Sequence, residues 1–110
     1  VASDRLKLEI ARSVREDYLH QDAFHEVDTF ATLKKQCTML RLILKFYDRT
    51  NSALSDGIGI GGLIALPVRE RIGRIKYVPE DKVDAEYDAI LAELNAQLDE
   101  LKKKEAEYDA

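Results

Sequence analysis

The chain has 110 residues, enough for one domain with a single modest core. With 45% hydrophobic and 35% charged residues it reads as a soluble, helix-rich protein, not a disordered or fibrous one. A net charge of −4 and a pI of 5.2 speak against nucleic acid as the main partner.

No apolar run approaches the roughly 18 residues of a membrane span. The longest candidate, residues 39–46, is interrupted by Arg41 and Lys45, so direct membrane insertion is not expected. There is no signal-peptide pattern, and the chain does not begin with Met, as expected of a fragment. A lone Cys37 cannot form an internal disulfide, which makes a reducing compartment the default.

The first predicted helix starts at a Ser3 or Asp4 cap and ends near Leu19 or His20. Leu6, Ile10, Val14 and Tyr18 recur every four residues as one buried stripe, with Ala11 beside them. The joint that follows is unusual. Gln21, Asp22, Ala23, Phe24, His25, Glu26, Val27, Asp28, Thr29 and Phe30 put aromatic rings where helix connections normally carry small polar residues. Such rings must pack on the domain's own core or face a partner or ligand.

A second helix is predicted from Thr29 or Thr32. Leu33, Cys37, Leu40, Leu44 and Tyr47 form its main stripe, widened by Met39, Ile43 and Phe46, so burial on two sides is expected. Cys37 on that stripe reads as a small core residue. Gly57 is placed to terminate this helix as its C′ residue.

Residues 57–62, Gly-Ile-Gly-Ile-Gly-Gly, match G-x-G-x-x-G literally. A dinucleotide site needs a strand before that motif, and here a helix precedes it. The stretch reads as a helix-to-helix connection. Leu63 to Leu66 suit one helical turn. Pro67 suits the N1 position of a short third helix over residues 68 to about 75. Its apolar residues Val68, Ile72 and Ile75 face one way. Arg69, Arg71, Arg74 and Lys76 crowd the rest, either as solvated surface or as a docking face for an acidic protein.

Pro79 opens the last and longest helix, with Glu80 and Asp81 in its first turn to suit the helix dipole. Tyr87, Leu91, Leu94, Leu98 and Leu101 form a heptad seam, with Val83 and Ile90 alongside. The seam packs within the domain or meets a partner helix. It fades at Glu105, so residues 102–110 are expected to fray or project. No stretch alternates with period two. The expected fold is therefore all-α, a single domain over residues 1–110 built as a small bundle of about four helices.

Catalytic and metal chemistry find little support. His25-Glu26 begins an H-E-x-x-H pattern, but Thr29 stands where the second His is needed, and His20 lies on another face. Glu16 and Asp17 are adjacent, so their carboxylates diverge on a helix and do not converge on a substrate. No P-loop and no Ser, His and Asp set with a nucleophile context is present. The residues by themselves describe a helical module without catalytic or metal residues.

Three stretches resemble a known family. "DRLKLEIARSVREDYLHQDAFHEVDTF" (residues 4–30), "KKQCTMLRLILKFYD" (34–48) and "LPVRERIGRIKYVPE" (66–80) resemble, in order and spacing, the C-terminal helical domain of the catalytic A subunit of V-type and A-type rotary ATPases. The likeness covers nearly the whole chain. Its first and third stretches are specific, because an ordinary bundle has no reason to repeat those polar residues.

The resemblance implies a subunit that alternates with B subunits in a hexameric ring around a central stalk. ATP or ADP with Mg would be held by a preceding nucleotide-binding domain, and none by this fragment alone, which lacks the P-loop and should be inactive. Gln21, Ala23 and Phe24, and more weakly Phe30, would flank the adenine of that nucleotide; Phe24 as a plug of the domain's own core is the alternative. The helical domain would swing toward the rotor as the subunit closes, coupling ATP hydrolysis or synthesis to ion transport. Arg69, Arg71, Arg74 and Lys76 would then face the stalk or a neighbouring subunit. The location implied is cytoplasmic, peripheral to the membrane. The competing reading is a free-standing helical adaptor that binds a partner helix along residues 87–101.

Overall fold

The computed structural model describes residues 1–19 and 33–109, with the side chains of residues 17–19 and 108–109 left aside. Among the described residues all regular structure is helical. Helix α1 runs Ala2–Ser13 and continues as a π-helical segment, Val14–Leu19. Helix α2 is Leu33–Ser55, α3 is Ile60–Ile64, α4 is Val68–Gly73, and α5 is Val83–Asp109. Two 3₁₀ turns, Ile75–Tyr77 and Glu80–Lys82, link α4 to α5.

The four-residue spacing along α1 leads into a change of helix type at Val14. In an α-helix each step of four residues drifts by about 40° around the axis. A π segment takes more residues per turn, so the same step drifts the other way and offsets part of the earlier drift. Leu6 is fully buried, and Ile10 and Val14 pack on the core as half-buried residues. The predicted fourth member, Tyr18, has its side chain outside the described set.

Helix α2 overturns one expectation. Its buried face is Met39, Leu42, Ile43, Phe46, Thr50 and Ala53. The stripe read as principal points away from that core: Leu33 is 74% exposed, Leu44 is 54% exposed, and Cys37 is exposed. Leu40 and Tyr47 are half-buried. Cys37 is therefore not a core residue. The residues expected only to widen the stripe make the core, because α1, α4 and α5 pack against that side. Thr50 tolerates full burial because its hydroxyl donates to the Phe46 carbonyl at 2.7 Å.

Gly57 terminates α2 as predicted, with φ of 98°. The Ile58 N–H bonds the Ala53 carbonyl and the Gly57 N–H bonds the Leu54 carbonyl, each at 3.1 Å, the pair of bonds that defines a Schellman motif. Ile58 and Ala53 both join the core, which supplies the accompanying apolar contact. The glycine-rich stretch links two helices, as read from sequence. Its helical turn begins at Ile60, three residues before the predicted Leu63. Pro67 sits at the N-cap of α4, one position before the expected N1. Helix α4 stops at Gly73, and a 3₁₀ turn carries Ile75 into the core, so Val68, Ile72 and Ile75 are all buried as expected.

Helix α5 turns its seam inward. Val83, Ile90, Leu94 and Leu98 are buried, and Tyr87, Leu91 and Leu101 pack half-buried against them. The seam is core, which removes the surface on which the adaptor reading rested. Helices α2 and α5 run parallel. Lys34 meets Asp84 at 3.1 Å, Arg41 lies 4.8 Å from the Tyr87 ring centre, and Arg49 donates to Asn95 at 2.6 Å. Near the other end of α5, the Glu105 carboxylate accepts the Gly59 N–H at 3.1 Å, and Lys102 comes within 4.0 Å of Asp56.

Candidate functional site

The basic residues of α4 divide by position. Arg69 points back toward α1. Its Nη1 donates to the Ile64 carbonyl at 2.9 Å and to Glu9 at 3.2 Å, and its Nη2 donates to the Ser13 hydroxyl at 2.9 Å. Its guanidinium also lies 5.9 Å from the Phe46 ring centre. Ser13 is buried, and this guanidinium gives its hydroxyl a partner. Arg69 thus fastens α1, α3 and α4 together.

Arg71 points the other way, toward α5. Nε and Nη2 fork onto the two oxygens of Glu86 at 3.1 and 2.7 Å, and Nη1 reaches Glu93 at 2.7 Å. The hydrogen bonds from Glu86, then Glu93, hold its pKa above the ordinary guanidinium value. Gln97 extends the network by donating to Glu93 at 3.0 Å and accepting the Val68 N–H at 3.1 Å. Pro67 has no side-chain oxygen to cap α4, so a residue of α5 does it.

Arg74 and Lys76 lie beyond these clamps. Arg74 is exposed at the mouth of a groove of about 870 Å³ between α1, α3 and α4. Glu9, Arg12, Glu16, Arg69, Glu70 and Arg74 line the groove with mixed charge. Arg12 is already paired with Glu16 at 3.2 Å, and Arg69 with Glu9. The pairs among these described groups join cations to carboxylates rather than a nucleophile to a base. The Lys76 ammonium lies 5.0 Å from the Tyr77 ring centre, and its carbonyl accepts Lys35 at 3.2 Å.

The other predicted site residues, Gln21, Ala23, Phe24 and Phe30, lie outside the described residues, as do His20 and His25. Among the described residues, no group of three or more His, Cys, Asp or Glu gathers as for a metal ion. The structure also uses residues that sequence reading passed over. Gln97 and Glu105 cap short helices from a distance, and nothing in their local sequence signals it. Ser13 sits at the edge of an apolar stripe, and that was the one available hint of a buried polar contact.

The fold and its charged groups define a helical module in which the arginines of α4 fasten helices to one another. The profile for the C-terminal domain of V and A type ATP synthase matches residues 1–61. The chain is 56% identical over 105 residues to the V-type ATP synthase alpha chain of Acetivibrio thermocellus, covering 96% of this chain and 18% of that one. It is 54% identical to the V-type ATP synthase alpha chain of Clostridium botulinum strain Langeland, over 92% of this chain and 17% of that one. The corresponding chain of Clostridioides difficile strain 630 is 52% identical over the same shares. This chain belongs to the family of C-terminal domains of V-type and A-type ATP synthase alpha subunits. It spans less than a fifth of the length of these curated relatives.

Proposed function

We propose that this chain is the force-transmitting end of a catalytic subunit in a rotary ATP synthase or ATPase. The observation that carries the reading is the 56% identity to a V-type ATP synthase alpha chain across 96% of this chain. In this reading a preceding domain binds ATP or ADP with Mg and does the chemistry. The helical domain converts opening and closing of that domain into rotation of a central stalk, and so into ion transport. B subunits of a hexameric ring and the rotor subunits are its partners, on the cytoplasmic face of the membrane. Gln21, Ala23, Phe24 and Phe30 flank the adenine, where a ring stacks on the base and a small residue leaves it room.

The bracing supports this role. Force is transmitted by a body that moves as one piece. Arg69 ties α1, α3 and α4, and Arg71 with Gln97 ties α4 to α5. In this reading, a short helix fastened on two sides lets the domain swing as one body.

Calorimetry on this chain with ATP and Mg tests the division of labour. The expected result is no measurable binding and no ATP hydrolysis. Micromolar binding by the chain alone would sink it. In the full-length subunit, Phe24→Ala is expected to weaken ATP binding about tenfold, the size of one lost stacking contact. An unchanged Kd would remove Phe24 from the adenine site.

A further inference from the structure

The last turns of α5 lie over the link between α2 and α3, where Leu101, Lys102 and Glu105 touch residues 56–62. The Glu105 carboxylate accepts the Gly59 N–H, at 3.1 Å to one oxygen and 3.4 Å to the other. The Lys102 ammonium stands 4.0 Å from Asp56. A Cβ added at Gly62 would come within 3.0 Å of Leu101 Cδ1, so the leucine seats directly on the glycine backbone. Helix α3 has little of its own to hold it. It is five residues long, far below the length at which an isolated helix is stable, and its N-cap residue is a glycine with no side-chain cap. Leu63 is the side chain it buries in the core.

We propose that residues 101–105 are a strap that holds α3 in place, and that releasing the strap also loosens α1. The first part follows from the contacts. Glu105 supplies the cap that α3 lacks, and Leu101 covers a glycine that has no side chain to pack. The second part follows from what α3 holds in turn. Its last residue, Ile64, offers its carbonyl to Arg69 Nη1 at 2.9 Å. The same guanidinium reaches Glu9 at 3.2 Å and the Ser13 hydroxyl at 2.9 Å, both on α1. A guanidinium fork is rigid and planar, so moving one of its acceptors turns the donors away from the others. Helices α1 and α3 also pack against each other directly. A helix end is where a fold opens most easily. Fraying of α5 past Leu98 therefore uncaps α3, frees the Ile64 carbonyl and removes a hold on α1. An order–disorder step at one end of the chain is felt at the other. The inference goes beyond the rotary reading and stands without it, since it concerns only contacts within the chain.

Amide hydrogen exchange in the full-length subunit, read by mass spectrometry on peptides covering α1, α3 and the first half of α5, tests the strap. Glu105→Ala should quicken exchange about fivefold over residues 59–64, the effect of one lost cap. Residues 2–13 should quicken at least about twofold, while residues 83–97 keep their native rates. Glu105→Gln, which keeps an acceptor oxygen, should restore half or more of the lost protection. Glu107→Ala removes the same charge from a nearby exposed position and should change neither α1 nor α3. Unchanged exchange over residues 59–64 would overturn the strap. Quickening there with α1 unmoved would overturn the coupling. Equal quickening of every helix would overturn both, because Glu105 would then support the whole fold and not a local contact. An effect of Glu107→Ala as large as that of Glu105→Ala would do the same, by assigning the change to charge alone.

Discussion

Gln97, in the middle of α5, accepts the hydrogen bond of the Val68 N–H at the start of α4, 3.1 Å away and 29 residues earlier in the chain. The same side chain donates to Glu93, which holds Arg71 of α4. One glutamine therefore does two jobs. It caps a helix whose own N-cap residue is a proline, and it orients a carboxylate for an arginine fork.

Gln97→Ala should destabilise the domain by about 1 kcal/mol, the usual cost of a lost cap. Urea denaturation would read it as a lower midpoint with an unchanged slope. Amide exchange at Val68 should quicken more than exchange elsewhere in α4. Equal protection in both proteins would show that Gln97 contributes no cap.

Gly57 and Gly61 should respond oppositely to alanine. Gly57 has φ of 98°, where a side chain is strained, so Gly57→Ala should cost about 1–2 kcal/mol. Gly61 lies inside α3 with nothing within 4 Å of an added Cβ, so Gly61→Ala should stabilise by about 0.5–1 kcal/mol. Thermal melts of the two variants should move in opposite directions.

Leu94 and Leu44 are both leucines on apolar stripes, but Leu94 is 1% exposed and Leu44 is 54% exposed. Leu94→Ala should cost about 2–5 kcal/mol through the cavity it leaves. Leu44→Ala should stay within about 0.5 kcal/mol in this chain. A large loss at Leu44 would mean that the face read as outward is buried in solution.

Arg71→Ala should weaken the domain by about 1 kcal/mol, since the pairs are partly exposed and solvent screens them. Arg71→Lys should recover less than half of that, because a lysine cannot fork onto Glu86 and reach Glu93 together. The pH behaviour follows from the sign of the shift. The folded state raises the Arg71 pKa, so its stabilisation is fully present below the unfolded guanidinium value and is lost only as pH rises through the folded one. From about pH 6 to about pH 9 the stability gap between native protein and Arg71→Ala should therefore hold constant, and a steady narrowing with pH would contradict the assignment.

Much of the architecture was legible in the chain itself. Glycine at position 57 and proline at 67 and 79 punctuate the helices because each restricts or frees the backbone locally, whatever surrounds it. The heptad spacing of α5 and the Val68, Ile72 and Ile75 stripe were readable for the same reason: one neighbour covers one face. Helix α2 was not readable in this way. Leu33, Cys37 and Leu44 form as good an apolar stripe as Met39, Ile43 and Phe46, and periodicity cannot say which of two stripes a neighbour will cover.

Helical character, the helix breaks and the family to which the polar residues point can all be read along the chain. Which face of α2 is core, and which carboxylates Arg69 and Arg71 hold, became fixed when the helices packed. Helix propensity and punctuation act over a few residues, so they are written along the chain. The partners of Arg69 and Arg71 come from as far as 60 and 22 residues away, and that pairing exists only once the helices have packed.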